Sequence, residues 1–145
     1  LRLSTPLAAF AAGYVANGLA RPTNQPNAWL ADFAAPAPAL TLRWAQPQTI
    51  ARIELMFDAD YDHPLESVLM GHPERRMPFC VARYRVRDET GVVLAACDEN
   101  HQARNVIVLA QPVTTRALRI ELTAPGPNVP AALCEVRCYA TADAT

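Results

Sequence analysis

The chain has 145 residues, of which 51% are hydrophobic and 19% are charged, and its formal net charge is -1. This length and composition predict that residues 1–145 form one folded domain with a sizeable core, and they argue against a disordered chain. The near-neutral charge argues against binding nucleic acid through bulk positive charge, and no apolar run approaches the ~18 residues of a membrane helix. We therefore expect neither a nucleic-acid partner nor a membrane partner.

The residue types that are missing narrow the possible chemistry. All 13 basic side chains are arginine, so a Schiff-base lysine or a phosphate-loop lysine is excluded. Serine occurs only at Ser4 and Ser67, and neither lies in a nucleophile elbow. Since no nucleophile–base pair can be assembled from the sequence, we expect that this chain is not an enzyme by itself.

In chain order, residues 7–15 predict at most a short helical turn, because Pro6 and Gly13 limit its length. From Leu40 onward, apolar and polar residues alternate with a period of two, which is typical of strands with one solvated face. The predicted strands span residues 40–44, 50–57, 82–87, 92–96, 105–110, 118–122 and 134–139.

Turn chemistry separates most of these short strands, at Gln46-Pro47, Thr90-Gly91, Gln111-Pro112 and Pro125-Gly126-Pro127. The pattern predicts an all-β fold, an antiparallel β-sandwich of the jelly-roll type with about eight strands. We expect Trp29 and Trp44 to anchor the core or its loops, since Trp44 is in register with Leu40 and Leu42.

The four cysteines, Cys80, Cys97, Cys134 and Cys138, have no zinc-ligand spacing. If Cys134 and Cys138 share a strand they lie about 13 Å apart, too far to form a disulfide. We interpret all four as buried thiols in a reducing compartment, which favours the cytoplasm. A disulfide between Cys80 and Cys97 across neighbouring strands is the alternative.

Several segments, in this order and spacing, resemble a galactose-binding-like (discoidin) domain, the group that includes coagulation-factor C domains and family 32 carbohydrate-binding modules. They are residues 15–18, 27–29, 40–42, 48–53, 83–86, 112–120 and 132–139. The resemblance implies a galactose-binding-like β-sandwich that serves as a binding or docking module.

A narrower set of segments resembles the C-terminal domain of bacterial FAD-dependent oxidoreductases. It comprises residues 17–22, 58–64 and 68–74. The resemblance implies a non-catalytic accessory or docking domain whose partner is the catalytic domain of a larger protein. The start at Leu1 without an initiator Met agrees with such a fragment. The chain has no dinucleotide-binding glycine motif, so FAD would bind only in the parent's catalytic domain. The alternative is a carbohydrate-binding module with a sugar as partner.

The long connection from residue 58 to residue 78 is the first candidate site, because an irregular loop of this length is unusual without a function. The resemblance to carbohydrate-binding modules implies a sugar site in such loops, and five side chains have the planar polar or aromatic character that a sugar needs. They are Tyr61, His63, His72, Arg75 and Arg76. The alternatives are docking on a partner domain and a loop packed by its own apolar residues.

The sequence contains three candidate metal sites. Asp58, Asp60 and Asp62 have the spacing of a calcium loop, but His63 stands where that loop needs glycine. A pair of His63 and His72 is a weaker transition-metal candidate.

The third site is implied by the discoidin resemblance, which places calcium between the positions of Asn17 and Glu135. Asn17 stands where the family has aspartate, so one charge is lost. In the alternative without metal, Asn17 adopts a left-handed turn before Gly18 while Glu135 accepts hydrogen bonds from backbone donors.

Alternation along residues 83–87 places three arginines on one face of a strand. If the strand order follows the family, Arg119 and Arg137 lie near this row and Glu54, Glu121 and Glu135 interleave with it. We expect cross-strand ion pairs on a solvated face; a docking surface is the alternative.

Overall fold

A computed structural model describes residues 10–22, 27–32, 37–59 and 79–143. Within them the chain forms one short 3-10 helix and six strands that make a single antiparallel sheet in the order β1-β6-β2-β5-β3-β4, which confirms the all-β prediction. The helix is Ala12–Ala16, and the strands are β1 Trp29–Leu30, β2 Ala39–Phe57, β3 Arg83–Asp88, β4 Val93–Cys97, β5 Arg104–Thr123 and β6 Ala132–Tyr139. In these four segments no helix has the length and apolar character needed to cross a membrane.

The two long strands, β2 and β5, each contain a proline where the sequence predicted a turn. Between the pairs Arg43–Ala117 and Gln48–Thr115, β2 has four residues and β5 has one. Pro47 lies in this irregular stretch, where its missing N–H removes no ladder hydrogen bond. The turn predicted at Gln46-Pro47 is therefore wrong, because the chain bulges there and continues as the same strand.

Pro112 marks the complementary irregularity in β5. Between the pairs Ile50–Val113 and Arg52–Val108, β5 has four residues and β2 has one. Since each long strand contains two of the predicted segments, the seven predicted strands correspond to five observed ones, and the short β1 was not predicted. Bulges bend and twist the strands that contain them, so β2 and β5 can turn a corner without ending.

A contact between Phe57 and Tyr84 shows that the sheet folds over on itself. Their ring centroids are 5.4 Å apart. Phe57 lies at the end of β2, whereas Tyr84 pairs with Leu122, which lies beside the start of β2. Since the 19 residues of β2 would span about 60 Å if straight, only a folded sheet brings these two rings together.

The folded sheet has two layers, which we call the first layer and the second layer. The first layer contains β1, β6, residues 50–57 of β2 and residues 104–113 of β5. The second layer contains residues 39–48 of β2, residues 114–123 of β5, β3 and β4. The hydroxyl of Tyr84 in the second layer donates to Asn105 Oδ1 of the first at 3.1 Å, so a polar bond also links the layers.

The core lies between the layers and is built from alternate residues of the strands, as the period of two predicted. Ile53 and Leu55 of the first layer and Leu118 and Ile120 of the second are fully buried. Trp29 and Trp44 are partly buried against this core, where the sequence placed them.

The hairpin between β3 and β4 turns at the predicted Thr90-Gly91. The Asp88 carboxylate accepts hydrogen bonds from the backbone N–H groups of Thr90 and Val92, both at 2.9 Å. Gly91 has a φ of +88°, a backbone conformation that favours glycine. This turn fixes the register of the two strands.

All four cysteines are free thiols in the structure. Cys134 and Cys138 share β6, as the sequence predicted. Burial raises the pKa of Cys80 to about 11 and that of Cys134 to about 12. Both thiols therefore stay protonated at neutral pH.

Replacing Phe57 with alanine tests the layer contact. Phe57→Ala removes a fully buried ring and leaves a cavity, so we expect the free energy of unfolding in urea to fall by about 3–5 kcal/mol. The matched control is Val108→Ala, because Val108 is 57% exposed and its truncation should change stability by about 0.5 kcal/mol or less. Equal effects of the two substitutions would contradict the assignment of Phe57 to the core.

The raised thiol pKa values predict slow alkylation. Since iodoacetamide reacts with the thiolate, Cys80 and Cys134 should react at least about tenfold more slowly at pH 8 in the folded chain than in urea, as measured by mass spectrometry. Because folding raises both pKa values above the ordinary 9.0, the linked stability is complete below pH 9 and is lost as the pH rises toward 11 and 12. Equal alkylation rates in both states would show that these thiols are accessible.

Candidate functional site

The sequence-predicted ligand residues of the long connection lie outside the described residues. Tyr61, His63, His72, Arg75 and Arg76 therefore stay predictions, and so does the calcium loop that begins at Asp58. The site can be analysed on the sheet and on the loops that the structure describes.

The outer surface of the second layer carries a row of arginines, as predicted. Arg83, Arg85 and Arg87 alternate with the buried Tyr84 and Val86 along β3 and therefore point away from the core. Neighbouring members of such a row are about 7 Å apart along the strand.

Two arginines from neighbouring strands extend this row. Arg119 of β5 is the direct cross-strand partner of Arg87, and Thr41 of β2 is the partner of Arg119 on its other side. Arg43 lies two residues beyond Thr41 and therefore shares the same surface. We call this surface the arginine face; its residues are Arg43, Arg83, Arg85, Arg87, Arg119 and Glu121.

Glu121 holds two of the arginines in place. Its Oε2 accepts a hydrogen bond from Arg87 Nε at 3.0 Å, and its Oε1 accepts one from Arg119 Nε at 3.2 Å. The hydrogen bond from Arg87 lowers the pKa of Glu121 below its usual value. One carboxylate therefore orients two guanidinium groups side by side.

The other arginines of this face have few partners. Arg85 meets Asp98 at 3.4 Å, and both side chains are largely exposed. Arg83 and Arg43 are exposed and form no hydrogen bond or ion pair within the described ranges 10–22, 27–32, 37–59 and 79–143. Their N–H donors are available to a ligand from solution.

An open groove of about 280 Å³ runs along one side of the arginine face. It combines guanidinium, carboxylate and hydroxyl groups, which can bind both anionic and hydroxyl groups of a ligand. Its lining residues are Ala37, Tyr84, Arg85, Arg119, Glu121, Leu122 and Thr123.

Arg137, which the sequence placed beside this row, lies elsewhere. It pairs with Glu54 across β6 and β2 in the first layer, so the predicted proximity to Arg119 is wrong. Glu54 and Glu135 likewise belong to the first layer. The sequence could not reveal this separation, because it follows from the fold-over of the sheet.

The outer surface of the first layer has its own ion-pair cluster around Glu54, which is fully buried. Arg104 contributes two nitrogens to Glu54, with distances of 2.9 to 3.3 Å, and Arg52 lies 3.0 Å from it. The Arg52 guanidinium also stacks on the Tyr139 ring at 4.2 Å. Because these charged groups pair with one another within the fold, we assign this cluster a structural role.

The loop after the 3-10 helix is held by two asparagine side chains. Asn27 is almost fully buried and donates from Nδ2 to the carbonyl oxygens of Leu19 at 2.6 Å and Arg21 at 3.4 Å. Asn17 donates from Nδ2 to Asn27 Oδ1, and its own Oδ1 accepts the Leu19 N–H. The side-chain amide of the buried Asn27 is thereby satisfied within the chain.

Glu135 of β6 joins this loop to the sheet. Its Oε2 accepts the backbone N–H of Gly18 at 3.1 Å, and its Oε1 accepts Arg137 Nε at 3.2 Å. Arg137 also donates to the Gly18 carbonyl oxygen at 3.2 Å, and its hydrogen bond to Glu135 raises its pKa. We call this cluster the amide hub; it consists of Asn17, Gly18, Asn27, Glu135 and Arg137.

The hub brings together the two residues predicted as calcium ligands, Asn17 and Glu135. The left-handed conformation expected at Asn17 is wrong: Asn17 has a φ of -94°, and Gly18 adopts the positive φ of +87°. The expectation that Glu135 accepts a backbone hydrogen bond is confirmed. Asn27 was missed, although an asparagine just before a strand is a signal for such a loop bond.

In its hydrogen-bonded form the hub does not fit a calcium ion. Calcium takes six to eight oxygen ligands, whereas both oxygens of the single carboxylate, Glu135, already accept hydrogen bonds from the chain. The Asn27 nitrogen, not its oxygen, faces the two loop carbonyls. Across the described ranges no group of three His, Cys, Asp or Glu is placed to hold a metal. Calcium at Asn17 and Glu135 stays a prediction that requires these bonds to rearrange.

Comparison with known proteins shows which solved structures share this fold. No family model matches the chain, and no curated protein sequence does. Solved structures do match. The family 32 carbohydrate-binding module of Streptococcus pneumoniae EndoD superimposes with a TM-score of 0.70 at 13% identity, over 96% of this chain and 91% of that one. This chain shares its fold with that module.

Two further solved structures share this fold. One is chitosan-binding module 2 in complex with chitotriose, from the chitosanase/glucanase of Paenibacillus sp. IK-5, with a TM-score of 0.62, 16% identity, and coverage of 91% of this chain and 88% of that one. The other is the Ruminococcus gnavus GH29 fucosidase E1_10125, with a TM-score of 0.58 and 11% identity, over 88% of this chain but only 21% of that one. The galactose-binding-like fold expected from the sequence is confirmed.

The amide hub can be tested by charge removal. Glu135→Gln removes the ion pair with Arg137, so we expect the free energy of unfolding to fall by about 1–2 kcal/mol. Glu89→Gln, in an exposed turn, is the matched control and should have little effect. We further expect the melting temperature to be the same in millimolar calcium and in EDTA. A rise with calcium that Glu135→Gln abolishes would show that the hub exchanges its hydrogen bonds for an ion.

Proposed function

We propose that this chain is a non-catalytic carbohydrate-binding module. The observation that carries the proposal is the full-length match to solved modules of that kind, which spans nine-tenths of both chains in the EndoD case. Their names describe binding, not catalysis, which supports the expectation that this chain is not an enzyme by itself. A sugar is therefore the favoured partner.

The shape and the polar groups of the described surface are suited to binding a ligand. The groove along the arginine face is open to solvent, whereas catalytic sites are deep pockets that exclude water. Arg85, Glu121 and Thr123 offer donors and acceptors in the planar and hydroxyl geometries that sugar hydroxyls need. The long connection with Tyr61 is a second place at which a sugar ring could stack.

An accessory role beside a catalytic domain is the second proposal. The fold recurs as about one fifth of the fucosidase chain, so it occurs as part of a larger enzyme. Val106 and Val108, at 50% and 57% exposure, form an apolar strip on the outer surface of the first layer that suits a neighbouring domain. We propose a parent that processes carbohydrates. The matches lend no support to an FAD-dependent oxidoreductase parent.

A glycan array tests the proposed function. The labelled chain should bind a defined subset of immobilised neutral or acidic glycans, with affinities in the micromolar range or weaker, because the groove is open and buries little of a ligand. Tyr61→Ala should weaken binding if the long connection holds the sugar. The matched control is Tyr14→Ala, in the 3-10 helix. An array without hits would contradict the proposal.

A further inference from the structure

We infer that the arginine face binds an acidic polysaccharide, a chain of sugars that carry carboxylate groups. The inference rests on the proposed carbohydrate-binding function and names both the ligand class and a surface for it. None of the residues of this surface belongs to the long connection to which the sequence assigned the sugar.

Segregation of charge is the first observation. The chain as a whole has a net charge of -1, yet five of its 13 arginines share the arginine face with a single carboxylate, Glu121. Asp98 adds one negative charge at the border, through a 3.4 Å contact with Arg85. The face is therefore strongly positive on a protein that is otherwise acidic, and it attracts anions.

The availability of donors is the second observation. Arg87 and Arg119 each give their Nε to Glu121, which fixes both side chains, while the terminal nitrogens of Arg119 have no partner within the described part of the chain. Arg83 and Arg43 are exposed without a partner in the same ranges. Guanidinium groups with free N–H donors are suited to bidentate hydrogen bonds with carboxylates.

Spacing is the third observation. Arg83, Arg85 and Arg87 repeat at about 7 Å along an extended strand, and Arg119 widens the row by one strand. A linear row of cations matches a linear ligand with repeating anions better than it matches a single small anion. This geometry favours a polymer that lies along β3.

The chemistry of the groove favours a sugar polymer over an acidic peptide as the ligand. It places Glu121 and Thr123 beside Arg85 and Arg119, so acceptors for sugar hydroxyls stand next to donors for a carboxylate. Protein interfaces need a desolvated apolar or aromatic core, and among the described residues the large apolar side chains exposed next to this row are Val92 and Val93, both at its hairpin end. The face therefore suits a ligand rich in both carboxylates and hydroxyls.

Binding of defined polymers tests the inference. The probes are polygalacturonate as the acidic polysaccharide, galactan as a neutral one and polyglutamate as an anion without sugar rings, each titrated by calorimetry. We expect polygalacturonate to bind, with an affinity that falls as the sodium chloride concentration rises. Arg83→Gln combined with Arg85→Gln should lower this affinity by about tenfold or more, with the melting temperature unchanged, since neither arginine supports the core. The matched control is Arg21→Gln, an exposed arginine in the loop of the amide hub, which should bind like the unmodified chain.

Each contrary result has a definite meaning. If the double substitution leaves polygalacturonate binding unchanged, or if only galactan binds, the inference is overturned while the proposed function stands. If polyglutamate binds as tightly as polygalacturonate and loses binding with the same two arginines, the ligand is an acidic peptide and the inference is overturned. If no polysaccharide binds, here or on the glycan array, the inference and the proposed function both fail.

Discussion

The antiparallel pairing of β2 with β5 is the constraint on which the rest of the structure depends. Among the six described strands these two alone run through both layers, and β6 and β3 each pair directly with one of them. Their paired bulges at Pro47 and Pro112 let the sheet fold without breaking the ladder. The fold-over then brings Phe57 to Tyr84 and closes the core. The arginine face exists because β3 pairs with the second half of β5 in the sheet.

The sequence predicted most of the fold, because alternation reports which face of a strand is buried. Leu40, Ile53, Leu118 and their neighbours are inward-facing as their period of two required. What alternation cannot report is whether a proline ends a strand or bulges within it, since both place the residue outside the ladder. Pro47 and Pro112 were therefore misinterpreted as turns, and the strand boundaries were wrong there although the segments were right.

The candidate site was predictable only in part. The row of Arg83, Arg85 and Arg87 follows from the sequence of one strand, and Arg43 could have been added because it alternates with the buried side of β2. Which strand lies beside the row depends on long-range pairing, so Arg119 was placed correctly and Arg137 was not. The amide hub shows the same limit, because Asn17 and Glu135 were recognised through a resemblance, whereas the position of Asn27 just before a strand was not enough to identify its partners.

The arginine face contains no lysine, and this has a practical consequence for work with the protein. Acylating reagents and amine-directed cross-linkers have no side-chain target on this surface, and cellular acetylation of lysine cannot neutralise it. Dicarbonyl reagents, which modify arginine, are therefore the chemical tools that can mask the positive charge of this surface.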